Sequence, residues 1–197
     1  MAGLVCNFNF FKIIDYFQKE MQLIQSPVLF CHNDMNRGNV LVSKDKREVY
    51  LIDYEFSSYN FRGCDIGHHF RRRALDPSCK GWQEGLMKRI PYPKEEDRRA
   101  FVTAYLEEFH VQQNKRKSEG KQVTQVKDKF NQVDHLLLES ELYGGLYGLF
   151  LISHMLTVQE MMEKRQVHPA VIMGSFLMDF QERKRRIQDL KERLGIK

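Results

Sequence analysis

His32-Asn33-Asp34-Met35-Asn36-Arg37-Gly38-Asn39, answered further along by Leu51-Ile52-Asp53-Tyr54-Glu55, is the stretch that decides how this chain folds. Asp34 and Asn39 stand five residues apart on one polar loop. A short β-prone run, Val28-Leu29-Phe30, precedes the loop. Two more runs follow, Asn39 to Val42 and Val49 to Ile52, separated by the charged turn Ser43 to Glu48. These two read as a hairpin, and a tight hairpin returns Asp53 to the mouth of the loop that carries Asp34 and Asn39. A lone aspartate before a turn is usually a cap or an Asx-turn residue. An Asp, an Asn five residues on and a hairpin ending in Ile-Asp make a far more specific set.

Protein kinases place a catalytic Asp, a metal-binding Asn and a second metal-binding Asp in this order, on a catalytic loop and a strand end. Phosphoryl transfer accounts for the residue types. ATP brings several negative charges, so Mg²⁺ must bridge its phosphates, and hard oxygen donors suit that ion: here the Asp53 carboxylate and the Asn39 amide oxygen. Asp34 is then the carboxylate that orients an acceptor hydroxyl and takes its proton. Glu55 is close enough in sequence to help hold metal or to order the loop. With those roles filled, His32 reads as structural.

The remainder of the chain is mostly helical. Ile13, Ile14, Phe17, Met21 and Ile24 recur at helical steps over Lys12 to Gln25, and Ser26-Pro27 ends that helix. From Ile66 onward helix dominates. Lys94 to His110 opens with Pro93 and an acidic first turn. The charged stretch Asn114 to Lys121 reads as a loop or helix break. Val133 to Lys164 predicts a long central helix, apolar on more than one face between Leu136 and Leu156. Pro169 suits the first turn of a last helix, whose charged end carries the pairs Glu182–Arg186 and Asp189–Arg193.

With 197 residues, 42% of them apolar, the chain has the composition of an ordinary globular domain. No apolar run reaches the ~18 residues of a membrane span, no signal peptide is expected, and the cytoplasm is the expected location. Cys6, Cys31, Cys64 and Cys79 show neither a metal-ligand nor a disulfide spacing. The net charge of +5 rests on short clusters such as Arg71-Arg72-Arg73. These lack the exposed interleaved aromatics of a nucleic-acid surface, so no nucleic-acid partner is expected.

Several runs together resemble one family. They are Phe30-Cys31-His32-Asn33-Asp34, Gly38-Asn39-Val40-Leu41, Leu51-Ile52-Asp53-Tyr54-Glu55, Ser57-Ser58-Tyr59-Asn60-Phe61-Arg62-Gly63 and Asp65-Ile66-Gly67. Val28 to Phe70 is similar to the choline/ethanolamine kinases. The wider aminoglycoside-phosphotransferase group shares the Asp-Asn-Asp logic but not the Ser-Tyr-Asn-Phe-Arg-Gly segment. The resemblance implies an α+β, mostly α fold, the helical C-terminal lobe of a protein-kinase-like fold with a short catalytic-loop β-hairpin, as a single domain over 1–197. It implies ATP and Mg²⁺ as cofactors and phosphorylation of choline or ethanolamine in phospholipid biosynthesis. It also implies a dimeric partner, homo- or hetero-. By that likeness Asp34 is the base and Asn39 and Asp53 are metal ligands.

Two departures qualify the likeness. About 27 residues precede the catalytic loop, with no glycine-rich loop and no strand lysine, so the nucleotide lobe is expected to be absent and the chain alone inactive or nearly so. Apolar surface near Leu29 and Val40 would then be exposed. The acceptor pocket also changes: His68-His69-Phe70-Arg71-Arg72-Arg73 stands where the family has Asn-His-Phe and then a Glu-Trp pair. Arg72 falls on the acidic position that faces the ammonium, and Arg73 on the Trp. A guanidinium about 5 Å from an ammonium repels it by roughly 3 kcal/mol at an effective dielectric of 20. One cation–π contact returns only about 0.5–2 kcal/mol. Repulsion wins unless Arg72 points to water. The family's paired tryptophans correspond to Gly144 and Tyr147, leaving Tyr143, Tyr147 and Phe150 as a reduced aromatic wall or as plain core. Trp82 has no place in this scheme, and adjacent His68 and His69 point apart on a helix, against a shared metal. Two readings stay open: an enzyme for choline, ethanolamine or another small alcohol, or a non-catalytic regulatory module that partners a complete kinase subunit.

Overall fold

A computed structural model describes residues 10–73, 91–123, 126–157 and 169–197. Cys6, Cys79, Trp82, residues 158–164 of the predicted central helix and the Arg73 side chain lie outside what is described. The helical spacing near the start becomes α1 (Phe10–Ile24), which buries Ile13, Phe17 and Ile24. β1 (Val28–Cys31) follows, then a 3-10 turn at Arg37–Asn39, β2 (Val40–Val42), β3 (Val49–Leu51), a second 3-10 turn at Tyr54–Phe56 and β4 (Ser58–Phe61).

β2 and β3 form the predicted antiparallel hairpin, in register Val40 to Leu51 and Val42 to Val49. β4 was not predicted. It pairs antiparallel with β1, Val28 against Phe61 and Cys31 against Ser58. Ser57, Ser58 and Asn60 are turn-forming residues, so only the waiting edge of β1 makes this segment a strand. The β1–β4 ribbon is the neck of a closed excursion, and everything between Cys31 and Ser58 hangs from it.

Among the described residues four further α-helices follow: α2 (Gly63–Arg73), α3 (Glu95–Ser118), α4 (Val133–Thr157) and α5 (Pro169–Leu194). The predicted break at Asn114 to Lys121 is corrected: α3 runs to Ser118 and ends at Gly120, whose φ is 67°. Lys121 N–H then closes on the Arg116 carbonyl at 2.9 Å. Lys115, Arg116 and Lys117 are good helix formers and meet the negative end of the helix dipole, so their charge extends the helix. α4 is central, as expected. Leu136, Leu137, Leu138 and Leu142 are all fully buried, because α1, α2, α3 and α5 pack around it.

α2 crosses α4 at a point with no room for a side chain. A Cβ on Gly67 would lie 2.3 Å from the Ser140 carbonyl oxygen and 2.6 Å from the Gly144 nitrogen. Gly144 therefore serves the helix crossing rather than the aromatic wall. Beside it, Arg62 and Glu139 pair at 2.5 Å, both wholly buried, and Ser26 and His135 also bond the Glu139 carboxylate. Glu141 is likewise buried and gathers Arg98, Arg183 and Arg186.

Exposed apolar surface does lie near Leu29 and Val40, as the sequence predicts. Leu29 and Val40 are half-buried, whereas Val28, Phe30, Leu41, Val42, Val49 and Tyr59 face outward. On β1 the exposure alternates as neighbouring side chains take opposite faces, whereas the β2–β3 hairpin exposes the adjacent Leu41 and Val42 together. Overfilling the α2–α4 crossing should cost stability: Gly67→Ala is expected to lower unfolding free energy by about 1–3 kcal/mol. Urea denaturation would show this as a lower midpoint at unchanged slope; an unmoved midpoint would mean that the helices can part.

Candidate active site

The loop after β1 is held by bonds from three directions. Asp65, in the first turn of α2, accepts from the backbone N–H of His32 and of Asn33, both at 2.7 Å. Asn60 Nδ2 donates to Asn33 Oδ1 at 2.8 Å, and Asn33 Nδ2 donates to the Phe56 carbonyl and to Ser58 Oγ. His32 is buried and spans the loop: its Nδ1 accepts from Asp34 N–H at 3.3 Å and its Nε2 lies 2.9 Å from the Ile52 carbonyl. A carbonyl only accepts, so the proton sits on Nε2. His32 is thus a strut between loop and hairpin, the structural part expected of it.

Asp34 and Asn39 meet directly. Asn39 Nδ2 donates to the Asp34 carbonyl at 3.0 Å and to Asp34 Oδ2 at 2.9 Å. Asn36 Nδ2 donates to the same Oδ2 at 2.7 Å. Both Asn39 amide hydrogens are engaged, so its oxygen is the atom that could face a cation. Asp34 is held through Oδ2, so Oδ1 is the oxygen that could take a proton. Ile52 N–H donates to the Asn39 carbonyl at 3.0 Å, so the hairpin end is tied to the loop and Asp53 is the next residue.

Asp53 is exposed and adopts the left-handed conformation, φ 67° and ψ 62°, without a capping bond from its side chain. Asn33 also has a positive φ, 65°. Non-glycine residues in this region carry strain of about 1 kcal/mol or more, and such strain concentrates at functional sites. Glu55 lies exposed in the turn after Asp53. Among the described residues no three His, Cys, Asp or Glu side chains are gathered as a metal cluster. Asp34, Asp53 and Glu55 therefore do not form one. An Asp–Asn pair that leaves most positions to phosphate and water is the sparse protein donor set that Mg²⁺ accepts.

The aromatic wall divides. Tyr143 is buried and stacks on Phe61, ring centroids 5.0 Å apart. Tyr147 is half-buried and lies against His68 at 3.9 Å between centroids. Phe150 is largely exposed. Arg72 does not reach out to water: its Nε donates to His68 Nε2 at 3.0 Å and its Nη2 to the Tyr147 hydroxyl at 3.4 Å. Arg72 and Tyr147 thus come together, while Tyr143 belongs mainly to the core. Burial, then the charges of Arg72 and Arg71, push the His68 pKa down to about 3.

The sequence comparison falls in line with this geometry. The model of the choline/ethanolamine kinases matches residues 6–173. The chain belongs to the choline/ethanolamine kinase family. Curated relatives include a choline/ethanolamine kinase of Rattus norvegicus, 36% identical over 126 residues, covering 62% of this chain and 32% of that protein. Choline kinase alpha of Mus musculus is 30% identical over 150 residues, covering 74% of this chain and 33% of its own. The chain spans about a third of the length of these relatives. The crystal structure of a choline kinase from Cryptosporidium parvum superposes on 95% of this chain and 51% of its own, with a TM-score of 0.52 and 21% identity, which shows the shared fold. Among the described residues no helix is long and apolar enough to cross a membrane.

Sequence reasoning did not assign Asp65 and Asn60 as clamps of the loop. Both stood in the quoted family runs, yet their partners lie some 30 residues upstream and no local spacing reveals them. His68 generates a pH prediction. Unfolded, it takes up a proton near pH 6.5; folded, it does so only near pH 3. Between those values the unfolded chain binds more protons, so stability falls as pH falls. From pH 7 to pH 5 the loss from His68 should be about 2 kcal/mol, and His68→Asn should remove that part of the slope in urea unfolding.

Proposed function

We propose that the chain serves ATP- and Mg²⁺-dependent phosphorylation of the hydroxyl of a small alcohol, the reaction class of relatives named for choline and ethanolamine. The products of that class feed phospholipid synthesis. The observation that supports this reading best is the bonded pair Asp34–Asn39, with Asp53 tied beside it through Ile52 N–H. Asn39 through its Oδ1 and Asp53 through its carboxylate would hold Mg²⁺, with Glu55 close by in the chain. When bound, the ion supplies charge neutralisation for the phosphates of ATP. Asp34 Oδ1 orients the acceptor hydroxyl and receives its proton, while Asn36 and Asn39 fix the other oxygen so that the carboxylate cannot swing.

A second reading makes the chain a non-catalytic module that partners a complete kinase subunit. The observation in its favour is Arg72, turned along the aromatic wall where the family resemblance implies an acidic group.

Titration calorimetry separates the two. Mg-ATP should bind the full chain, and Asp53→Asn should weaken that binding more than about tenfold, the scale on which ligands around a metal act. Asp34→Asn should retain nucleotide affinity and lower whatever residual turnover the chain supports by about 10²–10⁴, the usual contribution of a positioned base. Undiminished turnover would remove Asp34 from the base role, and no Mg-ATP binding by the wild type would favour the partner reading.

A further inference from the structure

A cleft of about 430 Å³ opens beside the catalytic loop, lined in part by Asn33, Asn60, His68 and Tyr147 together with apolar side chains such as Phe61 and Leu146. Asn33 immediately precedes Asp34 in the chain, which links the cleft to the loop that carries the proposed base. Among the described residues that line it there is no carboxylate.

The charges around it are unevenly disposed. His68 is 2% exposed and neutral. Behind it, Arg72 makes both of its bonds to uncharged groups, His68 Nε2 and the Tyr147 hydroxyl. Because His68 Nε2 accepts that bond, the ring proton sits on Nδ1, which is buried without a partner. A cation in the cleft would lie against His68 and Tyr147, with the Arg72 guanidinium directly behind both. Among the described residues the nearby carboxylates are engaged: Asp65 by the His32 and Asn33 N–H groups, Glu139 by Arg62, Ser26 and His135, and Asp179 by Arg71 and Arg183. Asp34 is held by Asn36 and Asn39 and faces the hydroxyl end of the acceptor in the proposed reaction.

We propose that this cleft takes an alcohol whose far end is uncharged and largely apolar, and rejects an ammonium group, with Arg72 as the residue that sets the choice. The aromatic and aliphatic lining suits such a tail, since apolar surface with few polar groups is the usual character of a small-molecule site. The Arg72 guanidinium, which among the described residues bonds only uncharged groups, supplies the discrimination, because selectivity is commonly built by making the wrong ligand repulsive. The proposal rests on the phosphotransferase reading for the orientation of the alcohol, and it is tested by binding alone.

Choline and 3,3-dimethylbutan-1-ol have the same shape and differ by one positive charge. Titration of the full chain with each, without nucleotide and followed by ligand-detected NMR, gives the ratio of their affinities. The neutral alcohol should bind at least about tenfold more tightly, as expected when a like charge stands close by in a partly desolvated wall. Arg72→Glu should reverse the order. Arg72→Gln, which removes the charge with little change of shape, should bring the ratio close to one. Choline binding as tightly as its isostere to the wild type would overturn the proposal. So would binding of neither alcohol, or a ratio that both Arg72 variants leave unchanged. Failure of the phosphotransferase reading would look different: selectivity intact, with no phosphate transferred to the neutral alcohol after Mg-ATP is added.

Discussion

The carboxylate of Asp65 is the hinge on which the candidate site depends. It takes two backbone N–H groups of the loop, those of His32 and Asn33, onto the first turn of α2. Both hydrogen bonds are charge-assisted, which makes them the stronger kind. An aspartate in the first turn of a helix also meets the positive end of the helix dipole. The loop is therefore fixed to the helical body, not merely closed on itself. Asn60 adds a side-chain bond from β4, and His32 carries the constraint across to the hairpin. Asp34 and Asn39 then need only short local bonds to keep their orientation, because the backbone that bears them cannot drift.

The helical body is held in turn by charges that are mostly shut away from water. Arg62 and Glu139 sit under the neck ribbon, and Glu141 draws arginines from α3 and α5 onto α4. Such pairs add little net stability over apolar substitutes, but losing one partner leaves a charge stranded and costs about 3–5 kcal/mol. Their value here is registry. Arg62 follows β4 directly, so its pairing with α4 sets where the β1–β4 ribbon meets the helices. The Gly67–Gly144 contact fixes the same relation from the α2 side, and with it the placement of His68 and Arg72 over Tyr147.

What the sequence made legible were the features whose partners are near in the chain. The loop spacing of Asp34 and Asn39, the hairpin that returns Asp53, the periodicity of α1 and the long apolar run of α4 all depend on contacts within about 20 residues, where pattern and turn chemistry speak directly. β4 was not legible, because its strand character comes from β1 and not from Ser58 or Asn60. The end of α3 was misread because a run of Lys and Arg looks like a loop until the helix dipole is counted. Gly144 was aligned with a position in the acceptor wall, yet its missing side chain answers a helix crossing. The direction of Arg72 could be framed as a condition from sequence, and only the packing of His68 and Tyr147 decided it.

The left-handed backbone at Asp53 has an evolutionary side. Glycine would relieve the strain at that position, and asparagine tolerates the conformation better than most residues. Either is reached from an aspartate codon by a single base change. A chain with no use for the negative charge would gain in folding free energy by drifting there, so position 53 acts as a gauge of purifying selection. Surveying this codon across natural variants of the locus would separate a lineage still held to its chemistry from one released to decay.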